Sequence, residues 1–453
     1  MTIMRTNGLT QQGKWMSTSR FLWICTVFCS LATTSTFVSA ETTSTDSTSV
    51  LGPVDAVVIA IANNPNLAAM QARFEAMSAI PSQVGTLPDP ILSFNAMNFP
   101  TDTFNVRQEA MTQVQVGISQ QLPFPGKLAL REEASSFEAE AARNNVDETR
   151  LLLVRDVRSS WWTLHYLDQA LEILAKNQEL LRQFVEIAKT KYEVGSGLQQ
   201  DVLLAQLELS KLLDQKIQLA GLRRGEEARL NKLIDRPTDS VIVLRRTTNL
   251  TLLGLADEPA LFTRAQELRP RLAEIRHEIQ AAESRVGLAK KDYYPDFTVG
   301  AVYGARQGDN APFIGGQRAD FLTLRLSINL PLYPSRKRSS AVSQRTSELL
   351  SQRYALQDEH NAVYAEISRA SADYRQASEQ FSLFDTGIIP QARQTVQSML
   401  AAYQVSEVDF LNLVRSQITL FNYETQYWRS LSAANQALAR LYAAVGGEIT
   451  REQ

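Results

Sequence analysis

The sequence predicts a mostly α-helical chain with a small membrane β part. It reads as a duplicated repeat with four strands per chain. Those strands form a trimeric 12-strand β-barrel, which a long α-helical coiled-coil barrel continues. Three observations predict this fold class. A strictly alternating stretch runs straight into a helical tract unbroken for more than sixty residues. The same succession occurs a second time. The N-terminus carries the marks of export.

The first alternating stretch is Val114-Gln115-Val116-Gly117-Ile118-Ser119-Gln120-Gln121-Leu122. Val114, Val116, Ile118 and Leu122 point one way, and Gln115, Gly117, Ser119 and Gln121 the other, which is the period of a strand. Pro123 and Pro125 end it, since neither donates to a ladder, and Gly126 permits a turn before Lys127. Leu322-Thr323-Leu324-Arg325-Leu326-Ser327-Ile328-Asn329-Leu330 alternates likewise, followed by Pro331-Leu332-Tyr333-Pro334 and a second helical tract.

At the N-terminus Arg5, Lys14 and Arg20 precede an apolar run over 21–32, and Val38-Ser39-Ala40 offers small residues to a signal peptidase. Residues 1–40 therefore read as a cleaved signal, which is also complete if the chain starts at Met16. A run of about a dozen apolar residues is short for an anchor. Cys25 and Cys29, the two cysteines of the 453-residue chain, lie inside the signal. The mature chain then has no disulfide, thiolate metal site or Cys nucleophile. Losing the signal leaves 43 basic against 48 acidic residues, a net charge of −5, which argues against nucleic acid as a partner. No later stretch is long and apolar enough to span a bilayer as a helix, so a membrane form must be a barrel.

Taken in order, 41–90 is a Ser/Thr-rich tail followed by helices, with Asn63-Asn64-Pro65-Asn66 as a cap between two of them. Residues 91–122 form the first membrane β-hairpin and 123–235 the first long helical hairpin. The outgoing helix of that hairpin runs from Lys127 to about Tyr192, roughly 100 Å at about 1.5 Å per residue. A heptad seam of Leu153, Val157, Leu164, Leu167, Leu171, Leu174, Leu181, Val185 and Ala188, interrupted by Ser160 and Gln178, demands a partner helix. Gly195-Ser196-Gly197 turns the chain back. Residues 236–262 are a connector with a β-prone stretch over 241–244, and 263–296 the helix of the second repeat. The second membrane hairpin spans 297–330, the second helical hairpin 331–446 and a tail 447–453. The duplication is read by subtraction. Pro65 matches Pro270 at an offset of 205, Pro88-Asp89 matches Pro295-Asp296 at 207, Leu122-Pro123 matches Leu330-Pro331 at 208, and Tyr192 and Gln206 match Tyr403 and Gln417 at 211.

Four strands cannot close a barrel, and an open edge in hydrocarbon is costly. The faces bearing Val114, Val116, Ile118, Leu322, Leu324, Leu326 and Ile328 carry no charge. Those opposite carry Gln113, Gln115, Ser119, Thr323, Arg325 and Asn329, the apolar-out, wet-in pattern of an outer-membrane strand. Eight strands from two chains leave a bore that side chains fill, whereas twelve from three leave room for water. A soluble periplasmic coiled-coil adaptor or tether is the alternative; it shares long hairpins but has no need of charge-free strands where both begin. No Gly-rich phosphate loop, Ser elbow or paired carboxylates at a strand end points to an enzyme.

The duplicated plan, Leu87-Pro88-Asp89-Pro90, the Leu-Pro-Phe-Pro-Gly-Lys joint at 122–127, Tyr192-Glu193-Val194-Gly195 and Tyr403-Gln404-Val405-Ser406-Glu407-Val408-Asp409-Phe410-Leu411 together resemble the TolC-type outer-membrane efflux family over essentially all of the mature sequence. The proline-flanked hairpins look most like its heavy-metal efflux branch. The resemblance implies a homotrimer in outer-membrane lipid, a periplasmic adaptor and an inner-membrane pump of the RND type, without a cofactor. It implies adaptor contact at Val194, Gly195, Val405 and Ser406, where the family usually has Gly at both tips and short turns need small residues anyway. It implies a periplasmic gate built from Asp201, Tyr403, Asp409, Asn412 and Arg415, residues that also fit a solvated helix surface. His165, His277 and His360 lack ligand partners at metal spacing. Trp161, Trp162, Tyr427 and Trp428 read as helix packing. Arg336-Lys337-Arg338 fits either lipid headgroups or, the preferred reading, a solvated helix start.

Overall fold

The computed structural model describes residues 50–245, 251–252, 254–310, 312–405 and 407–447. The signal segment 1–40, the tail 41–49 and the tip residue Ser406 lie outside the described residues. Three helices lead: α1 Pro53–Asn63, α2 Pro65–Ser78 and α3 Ile80–Gly85. Asn64 starts α2 by accepting hydrogen bonds from the N–H groups of Asn66 (3.0 Å) and Leu67 (3.1 Å), a cap of about 1 kcal/mol. Strands β1 Ile91–Met97 and β2 Gln113–Leu122 precede α4 Lys127–Glu193 and α5 Gln199–Leu233. The second repeat restarts with α6 Glu258–Leu268 and α7 Pro270–Lys291, then β3 Phe297–Arg306 and β4 Phe321–Ile328. It ends in α8 Ser339–Leu383, α9 Ile389–Gln404 and α10 Phe410–Val445.

Three expected continuities are broken, each beside a proline. The helix expected to run to Pro88 divides at Ala79, before Pro81, and that of the second repeat divides at Arg269, before Pro270. The second long tract opens with a π turn, Pro334–Arg338, and is interrupted by another, Phe384–Ile388, just before Pro390. Proline has no N–H for the ladder and its ring crowds the carbonyl one turn back, and Arg269 before Pro270 is extended at ψ +115°, so the bonding pattern shifts at these places. The β-prone stretch at 241–244 makes a single parallel bridge, Leu51 to Leu244, rather than a strand.

The sheet is an antiparallel meander, β1-β2-β3-β4. Its registers put Leu92 opposite Ile118, Phe94 opposite Val116, Val116 opposite Tyr303 and Ala301 opposite Leu324, so one face is apolar across all four strands. That face is bare: Phe94 is 70% exposed, Leu322 70% and Leu324 78%, whereas Gln113 and Gln115 on the other face are 7% and 5% exposed. A soluble sheet buries its apolar face, and this one turns it outward.

The helices pack about α4, which α5 and α10 both flank. Near the base, Trp161 is fully buried among Val57, Leu67, Leu230 and Ile234 and donates its indole N–H to Leu51 O at 3.0 Å. Towards the tip, Leu174, Leu181, Phe184 and Ala188 meet Ala205, Leu212, Phe410 and Leu413. Gly446 ends α10 at φ +96°, where a Cβ would lie 2.6 Å from the Leu268 carbonyl carbon, so only glycine closes this turn.

Candidate functional site

Two features of the helical hairpins stand out: the exposed tips and a cluster of polar groups just above them. At the first tip Gly195 takes φ +74° with open space around its α-carbon, and Val194 beside it is 72% exposed. At the second tip Val405 is 70% exposed. Apolar side chains held in water at a turn are available to a partner.

Above the tips three of the five expected gate residues come together. Tyr403, at the end of α9, is buried, and its ring lies 5.3 Å from that of Phe410. The Lys191 ammonium sits 4.3 Å from the Tyr403 ring centroid and donates to Tyr403 O at 2.7 Å, tying the first hairpin to the second. Asp201, in the first turn of α5, is half-buried. Burial pushes its carboxyl above the usual range. A backbone hydrogen bond at Leu198 opposes the shift, the charge of Asp409 adds to it, and Lys191 draws it back. Burial, and then the Asp201 charge, push the Tyr403 phenol up in turn. Among the described residues the Tyr403 hydroxyl is buried with no hydrogen-bond partner.

Asp409 stands at the N-terminus of α10. Asn412 and Arg415 follow on the exposed face of that helix, and among the described residues Arg415 makes no ion pair. The chain by itself therefore brings Asp201, Asp409 and Tyr403 into one electrostatic group and leaves Asn412 and Arg415 facing outward. Lys191 was not singled out from the sequence. Its contact with Tyr403 spans 212 residues, and no local pattern marks it.

His165 packs among the tryptophans of the helical body. The His165 ring lies 5.3 Å from Trp161 and 5.5 Å from Trp428, and burial lowers its pKa. Among the described residues no group of three or more His, Cys, Asp or Glu could hold a metal ion, and no helix is long and apolar enough to cross a membrane.

A second constellation locks the strand-to-helix joint. Lys127, buried at the start of α4, reaches Asp296 Oδ1 at 2.9 Å and Asp292 Oδ1 at 3.2 Å. The Phe124 N–H donates to the same Asp296 oxygen at 2.8 Å, and the Phe124 ring stacks on Tyr294 at 4.5 Å. The two repeats are thus clamped where the sheet meets the helices.

The chain is similar to known proteins in both sequence and fold. Nodulation protein T of Rhizobium leguminosarum bv. trifolii is 20% identical over 320 residues, 69% of this chain and 66% of its own length, so just under two thirds of that relative is spanned. The structure of the outer-membrane channel OprN superimposes with a TM-score of 0.74 at 17% identity, covering 87% of this chain and 90% of that one. The open state of the MtrE outer membrane channel of Neisseria gonorrhoeae gives 0.72 at 16%, covering 87% and 89%. The profile of the outer membrane efflux protein family matches residues 56–235 and 261–447, both repeats and nearly all the described chain, and the chain belongs to that family.

Proposed function

We propose that this chain is the exit duct of a tripartite efflux system. Three copies close their twelve strands in the outer membrane, and the long helices continue the bore into the periplasm. There the tips Val194, Gly195 and Val405, with Ser406, meet a periplasmic adaptor that couples the duct to an inner-membrane pump of the RND type. The observation that carries this reading is the inverted sheet, apolar outside and polar inside, joined directly to α4, whose 67 residues span roughly 100 Å. A periplasmic adaptor or tether would have to leave that apolar face in water, which the hydrophobic effect opposes. Cargo is set largely by the pump upstream. Heavy-metal ions are the class we propose first, on the proline-flanked joints, and loss of metal resistance in a deletion strain would test it.

The mass of the protein extracted in mild detergent from separated envelope fractions tests the duct. A species of three chains from the outer membrane is expected, and a water-soluble monomer or dimer from the periplasm would refute it.

The gate we propose is the ring that Asp201, Tyr403, Asp409, Asn412 and Arg415 form in the threefold assembly. Like charges meeting on the axis repel, whereas an Asp–Arg pair latches neighbouring helices. Asp201→Ala or Arg415→Ala should raise single-channel conductance in planar bilayers; if neither does, these residues do not form the constriction. The Asp–Arg latch needs Asp201 ionised, and burial raises the pKa of this carboxyl, so the latch is lost as pH falls through that raised value. Conductance should therefore climb as pH falls over the acidic range, and Asp201→Asn should be open throughout and flatten the climb.

A further inference from the structure

The seam between β2 and β3 is repeated in the sequence at two edges that the chain leaves unpaired. The offset of 207 that carries Asp89 to Asp296 and the offset of 208 that carries Leu122 to Leu330 superimpose the two hairpins in register. Ile91–Ser119 falls on Thr298–Ser327, and Phe94–Val116 on Ala301–Leu324. The same offsets applied to the β2–β3 seam generate a seam between β4 and the β1 strand of a second copy. Leu122–Phe297 becomes Leu330–Pro90, Gln120–Val299 becomes Ile328–Leu92, Ile118–Ala301 becomes Leu326–Phe94, and Val116–Tyr303 becomes Leu324–Ala96. In this register the outward faces of both strands coincide; a slip of one residue would turn one of them inward.

The clamp at the joint is carried over with the strands. Asp89 takes the place of Asp296, Leu87 that of Tyr294, and Leu332 that of Phe124. Lys127 corresponds to Ser335, and cationic charge follows immediately at Arg336 and Lys337. In the single chain these groups stand open. Leu87 is 48% and Leu332 72% exposed. Asp89, Arg336 and Lys337 are exposed, and among the described residues none of them makes an ion pair. The Leu332 N–H, lacking the carboxylate that Phe124 has, turns back onto Leu330 O at 3.0 Å.

We infer that β4 of one copy pairs with β1 of the next in this register, and that the joint is closed by Asp89 of one copy against Arg336 and Lys337 of the other, over a Leu87–Leu332 contact. This inference rests on the trimeric reading above and adds the residues that hold the subunits together. The mature chain has no cysteine of its own, so disulfide trapping reports the register directly. Phe94→Cys combined with Leu326→Cys should give a covalent trimer on oxidation in outer-membrane fractions. Leu92→Cys combined with Leu324→Cys, four residues out of register, should leave monomers on a denaturing gel. Asp89→Lys should lose most of the trimer band at a temperature where the parent retains it, and adding Arg336→Glu with Lys337→Glu should restore that band. A three-chain mass with trapping in the shifted pair alone would overturn the register and leave the trimer standing. Correct trapping with no rescue by the charge reversal would overturn the clamp. A monomer in every measurement would remove the trimeric reading and this inference together.

Discussion

Replacing Leu324 by arginine should remove the protein from the outer membrane. Leu324 lies near the middle of β4, is 78% exposed and sits on the apolar face shared by all four strands. An arginine near the bilayer midplane of a barrel costs about 2–4 kcal/mol, and the proposed trimer would bear that cost three times. The expected readout is loss of the heat-modifiable trimer from outer-membrane fractions and accumulation of degraded or periplasmic protein. The neighbouring Thr323→Arg variant projects to the polar face. It should assemble normally and change ion selectivity instead. Equal tolerance of both substitutions would mean that the faces are assigned the wrong way round.

Arg269→Met should destabilise the helical body by about 3–5 kcal/mol. Arg269 is 5% exposed and stands between α6 and α7. Its Nη2 lies 2.9 Å from Glu148 Oε1 on α4 and 3.6 Å from Glu366 Oε2 on α8, and its Nη1 donates to the Ala443 carbonyl on α10. One guanidinium thus ties three helices. Burial pushes the Glu148 carboxyl up, with Arg269 the largest influence holding it down. Without the arginine that carboxylate is left in the core with no counter-charge. A lower urea midpoint, followed by circular dichroism on detergent-solubilised protein, measures the loss. Adding Glu148→Leu should recover much of it, because a well-packed apolar pair can replace a buried ion pair at little net cost.

The parts of this fold that were legible in the sequence are those governed by local periodicity. Alternation at Val114, Val116 and Ile118 identified the outward face, since in a strand a side chain's face follows from its place in the sequence. The subtracted landmarks gave offsets that the strand registers reproduce pair by pair. What was not legible depends on distant partners. The heptad seam included Leu171 and Val185, which are only half-buried, and omitted Ile173 and Phe184, which are buried. The reason is that α4 is flanked by α5 and α10 together, so its covered face is wider than the single seam of a two-stranded coil. Around the tips the same division holds for the contacts. Asp201 and Asp409 were named from the resemblance; in the structure the Asp201 charge reaches the Tyr403 phenol and the Asp409 charge reaches Asp201. The cation that orders Tyr403 is Lys191, and only the packed tertiary structure brings it there.

The two outgoing struts have nearly equal lengths by different means. In the first repeat α4 covers Lys127–Glu193 without interruption, whereas in the second α8 and α9 cover Ser339–Gln404 through the π turn at Phe384–Ile388. A π turn accommodates one extra residue without ending the helix. Both struts leave the same sheet and meet again where Lys191 reaches Tyr403, so their spans are coupled. A heptad inserted into α4 alone would carry the first tip about 10 Å beyond the second and break that contact. Length in this molecule is therefore a property of the pair. A duct that must reach across a wider or narrower compartment can change only by matched insertions or deletions in both repeats, with π turns supplying the single-residue adjustment between them.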